Sequence, residues 1–115
     1  MTRVLLVEDE PLLRDLVRDF LVSFDYEVHA AADGVEALDK LQEAPPDVLV
    51  LDLMLPNIDG WSVLAACREQ SRAHVPVIVT STHPRAAQVD AQAVLPKPYD
   101  LDSLQVAIEQ LVRPG

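Results

Sequence analysis

Three acidic side chains stand at the ends of two short apolar runs in this sequence. Glu8 and Asp9 follow the run at residues 4–7, and Asp52 interrupts a longer apolar stretch. Clustered carboxylates repel one another unless a cation lies among them, and hard oxygen ligands with room for water favour Mg2+. The acids therefore predict a Mg2+ site if the fold brings these strand ends together. Otherwise Glu8 and Asp9 would merely cap a helix, and Asp52 would merely end a strand.

A lysine and a group of hydroxyls add to this chemistry. Lys97 is one of only two lysines, and it follows a short apolar run in the sequence Leu-Pro-Lys-Pro-Tyr. A lysine at the same sheet edge would supply the positive charge that a phosphoryl group needs. The fourth apolar run ends in three candidate hydroxyls, Thr80, Ser81 and Thr82. Their alternative interpretation is as ordinary strand-end or turn residues.

The elements that would position these residues alternate along the chain. Short apolar runs alternate with segments of helical periodicity, which predicts a parallel α/β sheet. Strands are expected at residues 4–7, 27–31, 48–51, 76–81 and 93–95. The predicted fold is a doubly wound, five-stranded parallel sheet of flavodoxin-like order 2-1-3-4-5. Strands one and three are then neighbours, and ligands bind beyond their carboxyl ends.

Helix boundaries follow from capping residues and proline. Helices are expected to begin at Pro11, at Asp33-Gly34 with Glu36 completing a capping box, at Asp59-Gly60 and at Asp100. The apolar face of the first helix is predicted to comprise Leu13, Leu16, Val17, Phe20 and Phe24. The helix between strands four and five is expected to be shortened, lying somewhere in residues 84–91.

Composition argues against several functional classes. The 115 residues carry a formal charge of −10, so direct binding to nucleic acid or to an anionic membrane is disfavoured. Cys67 is the only cysteine, which excludes an internal disulfide and fits a reducing compartment. The longest apolar stretch is too short to span a bilayer. These features predict one cytoplasmic domain, residues 1–115, that binds neither nucleic acid nor membrane.

In their order and spacing, these motifs resemble the receiver domain of bacterial two-component response regulators. The resemblance covers the whole chain. The matching residues are the Glu8-Asp9 pair, Asp52 with Pro56 and Gly60, the hydroxyl after Pro76-Val-Ile-Val, and Lys97-Pro98 followed by Tyr99. It implies a domain that accepts a phosphoryl group and signals by changing a protein-binding surface.

The resemblance also implies residue roles. Asp52 would be the phosphoacceptor, Ser81 the switch hydroxyl, and Lys97 the partner of the phosphoryl group, with a cis Lys97–Pro98 peptide. The implied Mg2+ ligands are Glu8, Asp9, Asp52 and the backbone carbonyl of Met54. The donor would be a phosphohistidine on a histidine kinase or a histidine phosphotransfer protein, and the downstream target would be another protein.

Alternatives within and outside this family remain. Because the sequence ends at Pro114-Gly115, we expect a stand-alone receiver that is not an enzyme beyond its own phosphorylation and dephosphorylation. It could instead be a phosphorelay intermediate or a phosphate sink without allosteric output. A small metal-dependent phosphohydrolase is disfavoured, because Asp52-Leu-Met lacks a second acid two residues on.

Two features of the sequence depart from the family pattern. Only fifteen residues separate Ser81 from Lys97, fewer than is usual in the family. The aromatic switch residue usual three positions before the lysine is replaced by Val94. A stiff, β-branched side chain cannot swing as a large ring does, so output through strand five is expected to be weak.

Overall fold

Five parallel strands form one sheet in the order β2-β1-β3-β4-β5. The computed structural model describes residues 1–69, 75–82 and 89–112. Its strands are β1 (Arg3–Val7), β2 (Glu27–Ala31), β3 (Val48–Asp52), β4 (Val77–Ser81) and β5 (Ala93–Pro96). The helices within the described ranges are α1 (Pro11–Val22), α2 (Gly34–Glu43), α3 (Gly60–Glu69) and α4 (Leu101–Val112). The predicted strand order is confirmed. Among the described residues, no helix has the length and apolar character that crossing a membrane requires.

The segment between β4 and β5 is described only in part. Most of the range in which the short helix is expected, residues 84–91, lies outside the described residues, which resume at residue 89. Residues 89–92 form bends that lead into β5. Gln92 joins the two strands, since its backbone N–H donates to the Val77 carbonyl at 3.0 Å and its Oε1 accepts from the Val77 N–H at 2.7 Å.

Helices cover both faces of the sheet, so each face has its own core. All five residues of β3 are buried, and for residues 48–51 this is what a continuous apolar run predicts for a central parallel strand. Leu49 packs into the core shared with α2 and α3, and Val50 packs into the core shared with α1 and α4. Cys67 lies in the first core, and Trp61 packs against it.

The predicted apolar face of α1 is partly wrong. Val17 is fully buried, but Leu16 is 55% exposed and Phe24 is 43% exposed. Leu21, one turn after Val17, is the other fully buried residue of this helix and was not predicted. Helical spacing does not extend to Phe24, because α1 ends at Val22 and the chain then turns.

The start of α2 is set by Asp33, whose Oδ1 accepts from the Glu36 N–H at 2.8 Å. The Glu36 carboxylate accepts from the Ala32 N–H at 3.3 Å, one residue before the expected partner in a capping box. Asp59 caps α3 in the same way, accepting from the Ser62 N–H at 2.8 Å. These caps place the beginnings of both helices beside the loops at the carboxyl edge of the sheet.

Candidate functional site

The ends of β1 and β3 lie side by side at the carboxyl edge of the sheet. Val7 pairs with Leu51, so the acids that follow them are neighbours. Glu8 and Asp52 are only 2% and 3% exposed, whereas Asp9 is exposed. One carboxylate oxygen from each of the three acids lies within 4.8 Å of the other two. The prediction that these acids meet is confirmed.

Lys97 lies between the two buried carboxylates. Its Nζ donates to Glu8 Oε1 at 2.6 Å and to Asp52 Oδ2 at 3.0 Å, and its side chain is 18% exposed. The lysine follows β5, and its backbone N–H donates to the Ser81 carbonyl at 3.1 Å. The Lys97–Pro98 peptide is cis, as the family resemblance predicted. The predicted lysine therefore reaches the acids from across two strands.

Burial and charge act in opposite directions on these groups. Burial raises the pKa of Glu8, although the hydrogen bond from Lys97 opposes the rise. Burial alone would lower the pKa of Lys97, but its hydrogen bonds to Glu8 and Asp52 outweigh burial and raise it. Burial, reinforced by the negative charge of Glu8, also raises the pKa of Tyr99 to about 12. Lys97 is thus a cation, and Tyr99 is neutral, at physiological pH.

Backbone N–H groups also donate hydrogen bonds to the two buried carboxylates. Glu8 Oε2 accepts from the Glu10 N–H at 3.1 Å, and Asp52 Oδ1 accepts from the Met54 N–H at 3.0 Å. Arg14 donates from Nη1 to the Glu8 carbonyl at 3.0 Å. The sequence reasoning missed Arg14, although an arginine in the first turn of a helix can reach back to the carbonyl group before that helix.

The three candidate hydroxyls occupy different environments. Thr80 pairs in register with Asp52 and is 2% exposed. Ser81 is 1% exposed and lies one residue nearer the carboxyl edge, where it contacts the backbone of Lys97. Thr82 is exposed. Two of the three hydroxyl residues are therefore buried at the strand end. The switch role of Ser81 stays a prediction. The role of the Met54 carbonyl as a metal ligand also stays a prediction.

The donor set fits a divalent cation. Three carboxylates and one ammonium group leave an excess of two negative charges within a few ångströms. Negatively charged carboxylate oxygens are hard ligands of the type that Mg2+ prefers. Mg2+ usually keeps several water ligands when it binds to proteins, and the exposed side of this cluster leaves room for them. Asp9 is the exposed member of this cluster.

Comparisons with known proteins agree with this geometry. The family model of the response regulator receiver domain matches residues 4–109. Response regulator MprA of Mycobacterium avium is 39% identical over 117 residues, covering 96% of this chain and 51% of MprA. Sensor histidine kinase TmoS of Ectopseudomonas mendocina is 38% identical over 117 residues, covering 96% of this chain and 12% of TmoS. The chain thus spans about half, or less, of the length of these relatives.

A solved structure of a similar receiver domain contains a magnesium ion. The receiver domain of sensor histidine kinase PA1611 from Pseudomonas aeruginosa PAO1 matches with a TM-score of 0.89 and 26% identity. The match covers 96% of this chain and 97% of that one. That crystal structure has a magnesium ion coordinated in its active site cleft.

Proposed function

Because this chain belongs to the response regulator receiver family, we propose that Asp52 accepts a phosphoryl group from a phosphohistidine donor. One observation carries the proposal: a lysine holds Asp52, a buried carboxylate, at the carboxyl edge of the sheet, with two more acids beside it. A charge in an apolar strand is costly unless it is paired. Such an arrangement favours a reactive centre over a simple strand end.

The chemistry follows from the charges of the chain's own residues. One oxygen of Asp52 forms a bond to phosphorus as the bond between phosphorus and the donor imidazole nitrogen breaks. A carboxylate is already ionised, so no general base is needed. Lys97 lies 3.0 Å from Asp52 Oδ2 and would pair with the phosphoryl oxygens, offsetting the charge spread over them.

The metal site would consist of Glu8, Asp9, Asp52 and the backbone carbonyl of Met54. Mg2+ bound there supplies positive charge to the oxygens of the transferring phosphoryl group. The clustering of the three carboxylates supports this assignment, as does the magnesium in the PA1611 receiver domain.

Phosphorylation would act as a switch on a protein-binding surface. The Ser81 hydroxyl would donate a hydrogen bond to the phosphorylated form alone and shift the population toward it. The protein would act in the cytoplasm, with a histidine kinase or histidine phosphotransfer protein as donor and a protein target downstream. Chemistry on free phosphate esters is not favoured, because Met54 occupies the position where a phosphohydrolase would need a second acid.

The test is phosphorylation by a small acyl phosphate donor, followed by intact-mass measurement. With Mg2+, the wild-type protein should gain one phosphoryl group, and chelation of the metal should prevent the gain. Asp52→Asn should gain nothing, whereas Asp39→Asn, at an exposed position of α2, should behave as the wild type. Asp9→Ala should bind Mg2+ more weakly. A phosphoryl group retained in Asp52→Asn would contradict the assignment.

A further inference from the structure

The loop at residues 53–59 joins the proposed phosphoacceptor to α3. Local hydrogen bonds fix the first two residues of the loop. The Met54 N–H donates to Asp52 Oδ1 at 3.0 Å, and the Leu53 carbonyl accepts from the Gly60 N–H at 2.9 Å. The Met54 carbonyl, a proposed Mg2+ ligand, belongs to this loop. The backbone path of the loop therefore decides where that carbonyl lies.

Asn57 ties the loop to the beginning of α2. Its backbone has a φ of 70°, in the left-handed region that asparagine tolerates better than most residues. Its Nδ2 donates to Asp33 Oδ2 at 3.2 Å, while Asp33 Oδ1 caps α2 by accepting from the Glu36 N–H. This is a side-chain hydrogen bond between the loop and the residue that caps α2.

Close backbone contact accompanies this hydrogen bond. A Cβ added to Gly34 would lie 2.1 Å from the Ile58 carbonyl oxygen and 2.7 Å from the Ile58 Cβ. Only glycine therefore allows the first turn of α2 to approach the loop this closely. We call this pair of contacts, Asp33–Asn57 and Gly34–Ile58, the α2–loop clasp.

We infer that Asp33 is a positioning residue for the metal site, acting through the α2–loop clasp. The inference rests on the proposed function. Asp33 is not among the clustered acids and touches none of them in the contacts above. It fixes Asn57, which lies three residues after Met54, and so holds the loop in the path that presents the Met54 carbonyl to Mg2+.

Two single substitutions separate this role from helix capping. Asp33→Ser retains an N-cap acceptor but removes the oxygen that meets Asn57. Asn57→Gly retains the left-handed backbone but removes the donor. Each substitution should weaken Mg2+ binding by about threefold to tenfold, measured by calorimetry on the full chain. This effect lies at or below the range of about 10–100-fold that is typical when outer-shell partners of metal ligands are removed. The double variant should lose no more than either single variant, because both break one contact.

A control and a rescue make the test specific. Glu36→Ala breaks the bond to the Ala32 N–H at the same helix end without touching Asn57, and should leave Mg2+ affinity unchanged. The double variant Asp33→Asn with Asn57→Asp exchanges donor and acceptor at constant net charge. It should restore Mg2+ affinity to within about twofold of wild type, as expected for a repaired pair.

The outcomes distinguish the clasp from the site itself. If the wild type binds Mg2+ and Asp33→Ser and Asn57→Gly bind it equally well, the clasp role is wrong and the proposed function stands. If Glu36→Ala weakens binding as much as they do, or if the exchanged pair fails to rescue, Asp33 is only a helix cap. A wild-type chain that binds no Mg2+ would overturn the proposed site, and the clasp role with it.

Discussion

Replacing Lys97 with methionine would remove the cation between two buried carboxylates while keeping an apolar stem. The side chains of Glu8 and Asp52 are only 2% and 5% exposed, so they would face each other without a counter-charge. Removing one partner of a buried ion pair typically costs about 3–5 kcal/mol. Each carboxylate keeps a backbone N–H donor, and Lys97 is partly exposed, so we expect a loss of about 2–3 kcal/mol at neutral pH without metal.

The loss of stability should depend on pH in a defined direction. Burial raises the pKa of Glu8 and Lys97 opposes the rise, so removing the lysine should raise this pKa further. The folded variant then binds more protons than its unfolded chain, and its stability falls as pH rises through the folded pKa. The deficit relative to wild type should therefore be smallest below the ordinary glutamate pKa of 4.5 and largest above the raised pKa.

Urea unfolding in the presence of a chelator, at about pH 4.5 and about pH 7.5, measures this difference. Lys40→Met is a matched control, since Lys40 is the only other lysine and lies on α2, outside the acidic cluster. Added Mg2+ should recover more stability in Lys97→Met than in the wild type, because the ion replaces the missing positive charge. An equal deficit at both pH values, or one no larger than that of Lys40→Met, would refute the reasoning.

Two further substitutions test the loop and the switch. In Gly60→Ala, the added Cβ would lie 2.4 Å from the Leu53 Cα and 2.5 Å from the Asp52 carbonyl oxygen, so α3 must shift. We expect a destabilisation of about 1–3 kcal/mol in urea unfolding and weaker Mg2+ binding, and unchanged values of both would contradict the steric argument. Ser81→Ala should still accept a phosphoryl group but show smaller backbone NMR shifts with a beryllofluoride mimic around the loops after β3 and β4. The same shifts as wild type, or wild-type shifts concentrated at Val94 and α4, would argue against the Ser81 switch.

The acids of the site were predictable because they depend on position along strands rather than on side-chain detail. Continuous apolar runs marked β1 and β3, and the doubly wound strand order made their ends neighbours. Glu8 and Asp52 then had to meet at one edge, whatever their rotamers. Lys97 was predicted on the same grounds, but its shorter contact, with Glu8 at 2.6 Å, was not, because it depends on the conformations of two long side chains.

Contacts between exposed polar residues left no pattern in the sequence. Asp33 and Asn57 are 24 residues apart in different elements, and neither interrupts an apolar period. The capping role of Asp33 was visible from local spacing, but its second oxygen is used in a tertiary contact that spacing cannot reveal. The exposure of Leu16 was missed for a different reason. Helical periodicity indicates an apolar face, but it does not show which edge of that face packs against the sheet.

Charge balance explains why the proposed chemistry needs both a metal and a lysine. Without metal, Lys97 is shared between Glu8 and Asp52, and the acidic cluster retains two uncompensated negative charges. An incoming phosphoryl group brings further negative charge into this cluster, and like charges held close are destabilising. A divalent cation offsets the excess, which leaves Lys97 able to pair with the phosphoryl oxygens. If Lys97 pairs with the phosphoryl oxygens, it must divide its hydrogen bonds between them and Glu8, so phosphorylation and the position of Lys97 would be coupled.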